Sequence, residues 1–78
     1  MKIIYRGKLY DTRKMKYLFG GVWHMVPLRF YQHNDGRYFK IYDSRFVEEI
    51  DKGSLKAEAE AHVSARKYIK LFGPVEEA

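Results

Sequence analysis

The chain has no cysteine, two prolines, one tryptophan and no long apolar run. The lack of cysteine excludes disulfide staples, thiolate metal sites and a cysteine nucleophile, and it suits a reducing compartment. The start MKIIYRGK has a basic flank but only a short apolar run, Ile3 to Tyr5, before Arg6. That is far short of a signal-peptide core or a membrane span, so a cytoplasmic protein with no membrane contact is expected. His24, His33 and His62 are the only histidines, and no two of them have the three- or four-residue spacing of a helical zinc motif. No metal and no cofactor is expected. No pair of carboxylates marks a pocket, and no enzyme activity is expected either.

What is present is a chain of 78 residues, 46% hydrophobic and 17% aromatic, which reads as one domain over residues 1–78. Domains of this size bury only about 60% of their unfolded surface, so stability is narrow. The net charge of +5 is unevenly spread. Residues 1–47 carry ten Lys or Arg against three acids, a balance of +7, and residues 48–78 carry five against seven, a balance of −2. Such an electrical asymmetry steers a molecule towards an anionic surface, nucleic acid or acidic protein, although net charge also serves solubility alone.

The run KIIYRG, Lys2 to Gly7, favours a strand. In YDTRKMKYLFGG, Asp11 or Thr12 is placed to cap a helix, Met15, Leu18 and Phe19 recur at helical spacing, and Gly20 stands where a helix ends. A short helix over residues 12–19 is expected, docked on the sheet, with Arg13, Lys14 and Lys16 pointing away. Val22 to Gln32 reads as one long strand candidate qualified by Pro27, which begins it, bulges it or places it at an edge. Asp35-Gly36 suits a two-residue type I′ turn. Asp43 to Ser54 is ambiguous between a third strand ending at Ile50 and a turn of helix, the strand being favoured. Ser54 then caps a single long helix from Leu55 to about Phe72, closed by Gly73 and Pro74. Its apolar stripe, Leu55, Ala59, His62, Ala65, Ile69 and Phe72, is expected across the core face, with Trp23 in the core or at its edge. The expected fold is α+β: an antiparallel sheet of about three strands, a short N-terminal helix and one long C-terminal helix.

The two-residue turn pairs Phe30 with Ile41 and Tyr31 with Lys40. Alternation then places Leu28, Phe30, Phe39 and Ile41 on a core face. Arg29, Tyr31, His33, Tyr38, Lys40 and Tyr42 fall on the other face, in water. Cross-strand aromatic and cationic pairs of this kind stabilise a sheet. The same composition suits a protein interface, where Tyr and Arg act as hot spots, or a stacking platform for single-stranded nucleic acid. These six residues, with Arg13, Lys14 and Lys16 as a second basic cluster, are the candidate binding surface.

The pattern IYRGKLYDTRKMKYL, then LRFYQHNDGRYFKIY, then EEIDKGSLKAEAEA resembles small accessory proteins of phages and mobile elements in Gram-positive bacteria. Tyr5, Gly7, Lys8, Tyr10, Asp11 and Thr12 carry the first part of that resemblance, and Gly36, Arg37, Tyr38 and Phe39 the second. Met15 departs from it, and the third part is loose. The resemblance implies no enzyme activity and supplies no site residues. It implies a binding protein in the host bacterial cytosol, an inhibitor of a host defence complex in the manner of anti-CRISPRs. The expected partner is a host protein or ribonucleoprotein complex, with nucleic acid as the alternative and the chain itself a monomer or weak homodimer.

Overall fold

A computed structural model describes residues 1–78. The chain opens with a hairpin of β1 (Lys2–Tyr5) and β2 (Lys8–Asp11), joined at Arg6-Gly7, both in the left-handed region at φ 50° and 76°. A single 3-10 turn, Thr12–Lys14, leads into β3 (Lys16–Trp23), β4 (Val26–Gln32), β5 (Tyr38–Tyr42) and β6 (Phe46–Ile50). These four form an antiparallel meander in the order β3-β4-β5-β6. Two helices follow, α1 (Lys52–His62) and α2 (Ala65–Phe72). The class is α+β, but the expectation of about three strands, a short N-terminal helix and one long C-terminal helix is overturned. Six strands stand in two sheets, and the helices are two short ones.

The expected helix over 12–19 exists only as its first turn. Asp11 does cap, accepting from the Arg13 backbone N–H at 3.0 Å, and then the chain straightens. A two-turn helix is marginal by itself, whereas as a strand Lys16, Tyr17 and Phe19 pair with Gln32, Tyr31 and Phe30 of β4. A bulge between Tyr17 and Phe19 lets Leu18 and Phe19, consecutive in sequence, join the same apolar cluster. Gly20 is therefore a strand residue and not a helix terminus.

The long candidate from Val22 to Gln32 is the end of one strand, a turn, and the next strand. His24 and Met25 form the two-residue turn at φ 49° and 65°, a geometry that ordinarily selects Asn-Gly, so the sequence carries no hint of it. Trp23 stands at this tip, 61% exposed, instead of in the core. Pro27 is tolerated within the inner strand β4 because β5 stops at Tyr42, opposite Leu28. Its carbonyl accepts from the Asp43 N–H at 3.1 Å, so its nitrogen faces the side where no ladder partner is needed.

The β4–β5 turn decides where every side chain of the candidate surface goes. His33 donates its N–H to the Arg37 carbonyl and accepts from the Gly36 N–H, each at 2.9 Å, and Gly36 sits at φ 95°. Asn34, Asp35 and Gly36 thus make a three-residue loop with a left-handed glycine, one residue longer than expected. Phe30 consequently pairs with Lys40 and Tyr31 with Phe39, and the one-residue slip sends β5 to the opposite face.

Both faces of the sheet are covered. On one, Leu18, Phe19, Leu28 and Phe30 pack beneath Leu55 and Ala59 of α1, with Tyr38, Tyr42, Tyr68, Leu71 and Phe72 around them. On the other, Tyr31, Phe39 and Ile41 are roofed by Ile3 and Tyr10 of the β1–β2 hairpin. The expectation of one core face and one face in water fails for this reason: the aromatics fill two thin cores.

β6 is a strand, as favoured from its sequence. The helix expected to run unbroken to Phe72 divides at Val63-Ser64, both extended, where the Ser64 hydroxyl caps α2 by accepting from Lys67 N–H at 3.2 Å. Asp51, and not Ser54, caps α1, accepting the Ser54 N–H at 2.7 Å. Beyond the break only Phe72 of the expected stripe still packs: Ala65 and Ile69 are exposed, and Tyr68 and Leu71 take their place beside Phe72.

Candidate functional site

The structure disperses the expected tyrosine-rich face. Tyr31 is only 8% exposed, edge-on to Tyr17 with ring centroids 5.6 Å apart. Tyr38, Lys40 and Tyr42 lie on the opposite face under the helices, where Lys40 pairs with Glu58 and Tyr42 stacks on Phe46 at 5.2 Å. Arg29 is exposed on the Tyr31 face, opposite Gly20 and Ile41. No single surface holds these residues. Four members of the expected set do come together: Arg13, Lys14, Lys16 and His33.

They do so along three adjoining depressions. The first, about 680 Å³, lies between the β1–β2 hairpin and the β4–β5 turn and is lined by Lys2, Lys8, Arg13, Lys14 and Arg37, with His33 and Asn34. The second, about 370 Å³, shares Lys14, His33 and Asn34 with it and adds Lys16 and Gln32. The third, about 250 Å³, shares Lys16 and Gln32 and continues to Lys52, Lys67 and Lys70, with Tyr17, Tyr38 and Phe72. Nine cationic side chains thus line one continuous band, against two carboxylates, Asp11 and Asp35.

Both carboxylates are already committed. Asp11 takes the Arg13 guanidinium at 3.0 and 3.2 Å, bonds that hold its carboxyl down to about 2 from an ordinary 3.8. Asp35 accepts the Arg37 backbone N–H at 3.0 Å, the main cause of its fall to about 2, and the Arg37 Nε at 2.8 Å. Arg37 also donates to Tyr10 Oη at 2.8 Å and lies over the Phe39 ring, tying the hairpin to the sheet. Its role is that of a structural clamp.

The remaining seven cations of the band, all lysines, have no carboxylate within 4.0 Å, since Lys40 is the one lysine that forms an ion pair. Holding so many like charges along one groove is unfavourable unless an anion shares it. Lysine donates in three directions as a compact point charge, which suits the irregular spacing of phosphates.

Sequence reasoning missed Lys2, Lys8, Lys52, Lys67 and Lys70. The charge excess over residues 1–47 pointed to the right half of the chain for the first two. Lys67 and Lys70 fall outside the apolar stripe of the expected unbroken helix, which carries them away from the sheet. Val63-Ser64, a β-branched residue before a capping serine, was the available signal for the break that turns them towards Lys16.

No three His, Asp or Glu side chains come together as a group able to hold a metal ion, and no helix is long and apolar enough to cross a membrane. Compared with known proteins, the chain matches no protein family, no curated protein and no solved structure.

Proposed function

We propose that this chain is a non-enzymatic binding protein whose ligand is single-stranded nucleic acid, tracked along the basic band from Lys2 and Lys8 past Lys14 and Lys16 to Lys67 and Lys70. The observation that carries this reading is the continuity of the band: seven lysines without ion-pair partners, and no free carboxylate among them. The partly buried rings of His33, Tyr38 and Phe72 line the same path beside the cations. Aromatic faces within a basic groove are how sequence-tolerant single-strand binders combine phosphate neutralisation with base stacking.

The test is fluorescence anisotropy with a labelled single-stranded oligonucleotide at low salt. Lys14→Glu with Lys16→Glu is expected to cut affinity at least tenfold, while Arg45→Glu, on an exposed turn outside the band, leaves it unchanged. Equal effects of the two changes contradict the reading.

A second reading, inhibition of a host defence complex by direct protein contact, is favoured by a different observation. The His24-Met25 turn lifts Trp23 and Met25 into solvent, 61% and 94% exposed, on backbone that bulky residues rarely adopt. Trp and Met are enriched at protein interfaces. Pull-down from a bacterial lysate separates the readings. Capture that vanishes after nuclease supports nucleic acid, and stoichiometric capture that survives nuclease but is lost in Trp23→Ser supports the protein partner.

A further inference from the structure

The third depression differs from the other two in having an apolar floor. Leu55 is fully buried at its base, the Tyr38 and Phe72 rings flank it, and Lys16, Lys52, Lys67 and Lys70 stand around it with no acid among the lining residues. The four lysines arrive from three separate elements, β3, α1 and α2, and none is in an ion pair. A hydrated inorganic anion needs no ring surface, and an apolar ligand needs no ammonium groups. The combination calls for a ligand with both halves.

We infer that this cleft seats one nucleoside phosphate, its base against Tyr38 and Phe72 and its phosphate among Lys16, Lys52, Lys67 and Lys70. The inference rests on the nucleic-acid reading of the band for its ligand class, and it adds a discrete subsite to what is otherwise a track for phosphates. The size is consistent: about 250 Å³ lies below the roughly 300–1,000 Å³ of pockets for drug-sized ligands. A cleft that small takes one nucleotide unit at most. Stacking supplies affinity without demanding a particular base, because every base has a ring face. The lysines act as point charges and impose little geometry on the phosphate. The break at Val63-Ser64 is what makes the site, since it folds Lys67, Lys70 and Phe72 of α2 back towards Lys16.

Titration of the full chain with adenosine monophosphate, followed by amide NMR shifts, tests this directly. Adenosine and inorganic phosphate serve as single-half controls, and an oligonucleotide is titrated in parallel. The nucleotide is expected to shift the amides of Lys16, Lys52 and residues 67–72, and to bind at least tenfold more tightly than either half alone. Lys67→Ala with Lys70→Ala, which removes no core side chain, is expected to weaken the nucleotide at least tenfold. Arg45→Ala, on an exposed turn outside the band, is expected to leave it unchanged. If the nucleotide binds no better than inorganic phosphate, or ignores the cleft variant while the oligonucleotide still binds, the subsite is overturned and the band stands. If the nucleotide binds in the cleft and the oligonucleotide does not bind, the subsite holds for free nucleotides and the band reading falls. If neither binds, both fall.

Discussion

The imidazole of His62 rests directly on the backbone of Gly21: a Cβ placed on Gly21 would stand 2.5 Å from Nδ1 and 3.0 Å from Cβ of the histidine. The contact seats the C-terminal end of α1 on β3, and it is possible only because β3 carries no side chain there. Gly21→Ala is therefore expected to cost about 1–3 kcal/mol by overpacking, since the ring root and not a flexible tip is in the way. In Gly21→Ala with His62→Ala the clash is gone, and a coupling of about 0.5–3 kcal/mol between the two sites is expected from chemical denaturation. Strict additivity would show that the helix does not sit there.

Phe30 and Phe39, both fully buried on neighbouring strands, belong to different cores. Each change to Ala is expected to cost about 3–5 kcal/mol. The two differ in what they loosen first. Phe30→Ala is expected to speed amide exchange in α1, and Phe39→Ala in the β1–β2 hairpin around Ile3 and Tyr10. The same pattern from both variants, or a Phe39→Ala protein that melts like the parent, contradicts the two-sided sheet.

That division was the least legible part of the sequence. The strand identities of Phe30, Phe39 and Ile41 were readable from alternation, and so were the Asp11 cap, β6 and the Gly73 terminus. What alternation cannot supply is the length of the turn at Asn34 to Gly36. One residue more in that loop moved Tyr38, Lys40 and Tyr42 beneath the helices and left Tyr31 under the hairpin. The His24-Met25 turn was invisible for the converse reason: its residues lack the preference its backbone requires. Of the candidate surface, Arg13, Lys14, Lys16 and His33 were found because charge survives an error in secondary structure. Lys67 and Lys70 were lost because their position depends on a helix break.

Tyr31 is accordingly expected to behave as a core residue. Tyr31→Ala is expected to lower stability by about 3–5 kcal/mol as a large aromatic truncation, instead of weakening binding selectively. A variant with a parental melting temperature and lost binding would restore the exposed tyrosine face.

Replacing the two turn residues is expected to stabilise the protein. Left-handed backbone costs roughly 1–2 kcal/mol per ordinary residue, and His24 and Met25 both adopt it. His24→Asn with Met25→Gly is expected to raise the unfolding free energy by about 1–2 kcal/mol. An unchanged or lowered denaturation midpoint contradicts the assigned turn.

Acid is expected to weaken the fold through Asp11 and Asp35. Both carboxyls are held near 2 in the folded chain, below the ordinary 3.8, so the stability they add is complete above 3.8 and is lost as pH falls from there towards 2. Asp35→Asn is expected to flatten the fall in melting temperature across that window. An equally steep fall in the variant would assign the acid sensitivity elsewhere.

The salt dependence of oligonucleotide affinity tests the central claim most directly. Each phosphate neutralised on a single strand contributes about −0.7 to the slope of log affinity against log salt. Seven lysines of the band have no carboxylate partner, so a slope between about −2 and −5 is expected when three to seven of them are engaged. Lys14→Ala with Lys16→Ala is expected to shrink it by about 1.4. A slope near zero, or one that the double change leaves as it was, would contradict a phosphate track along this band.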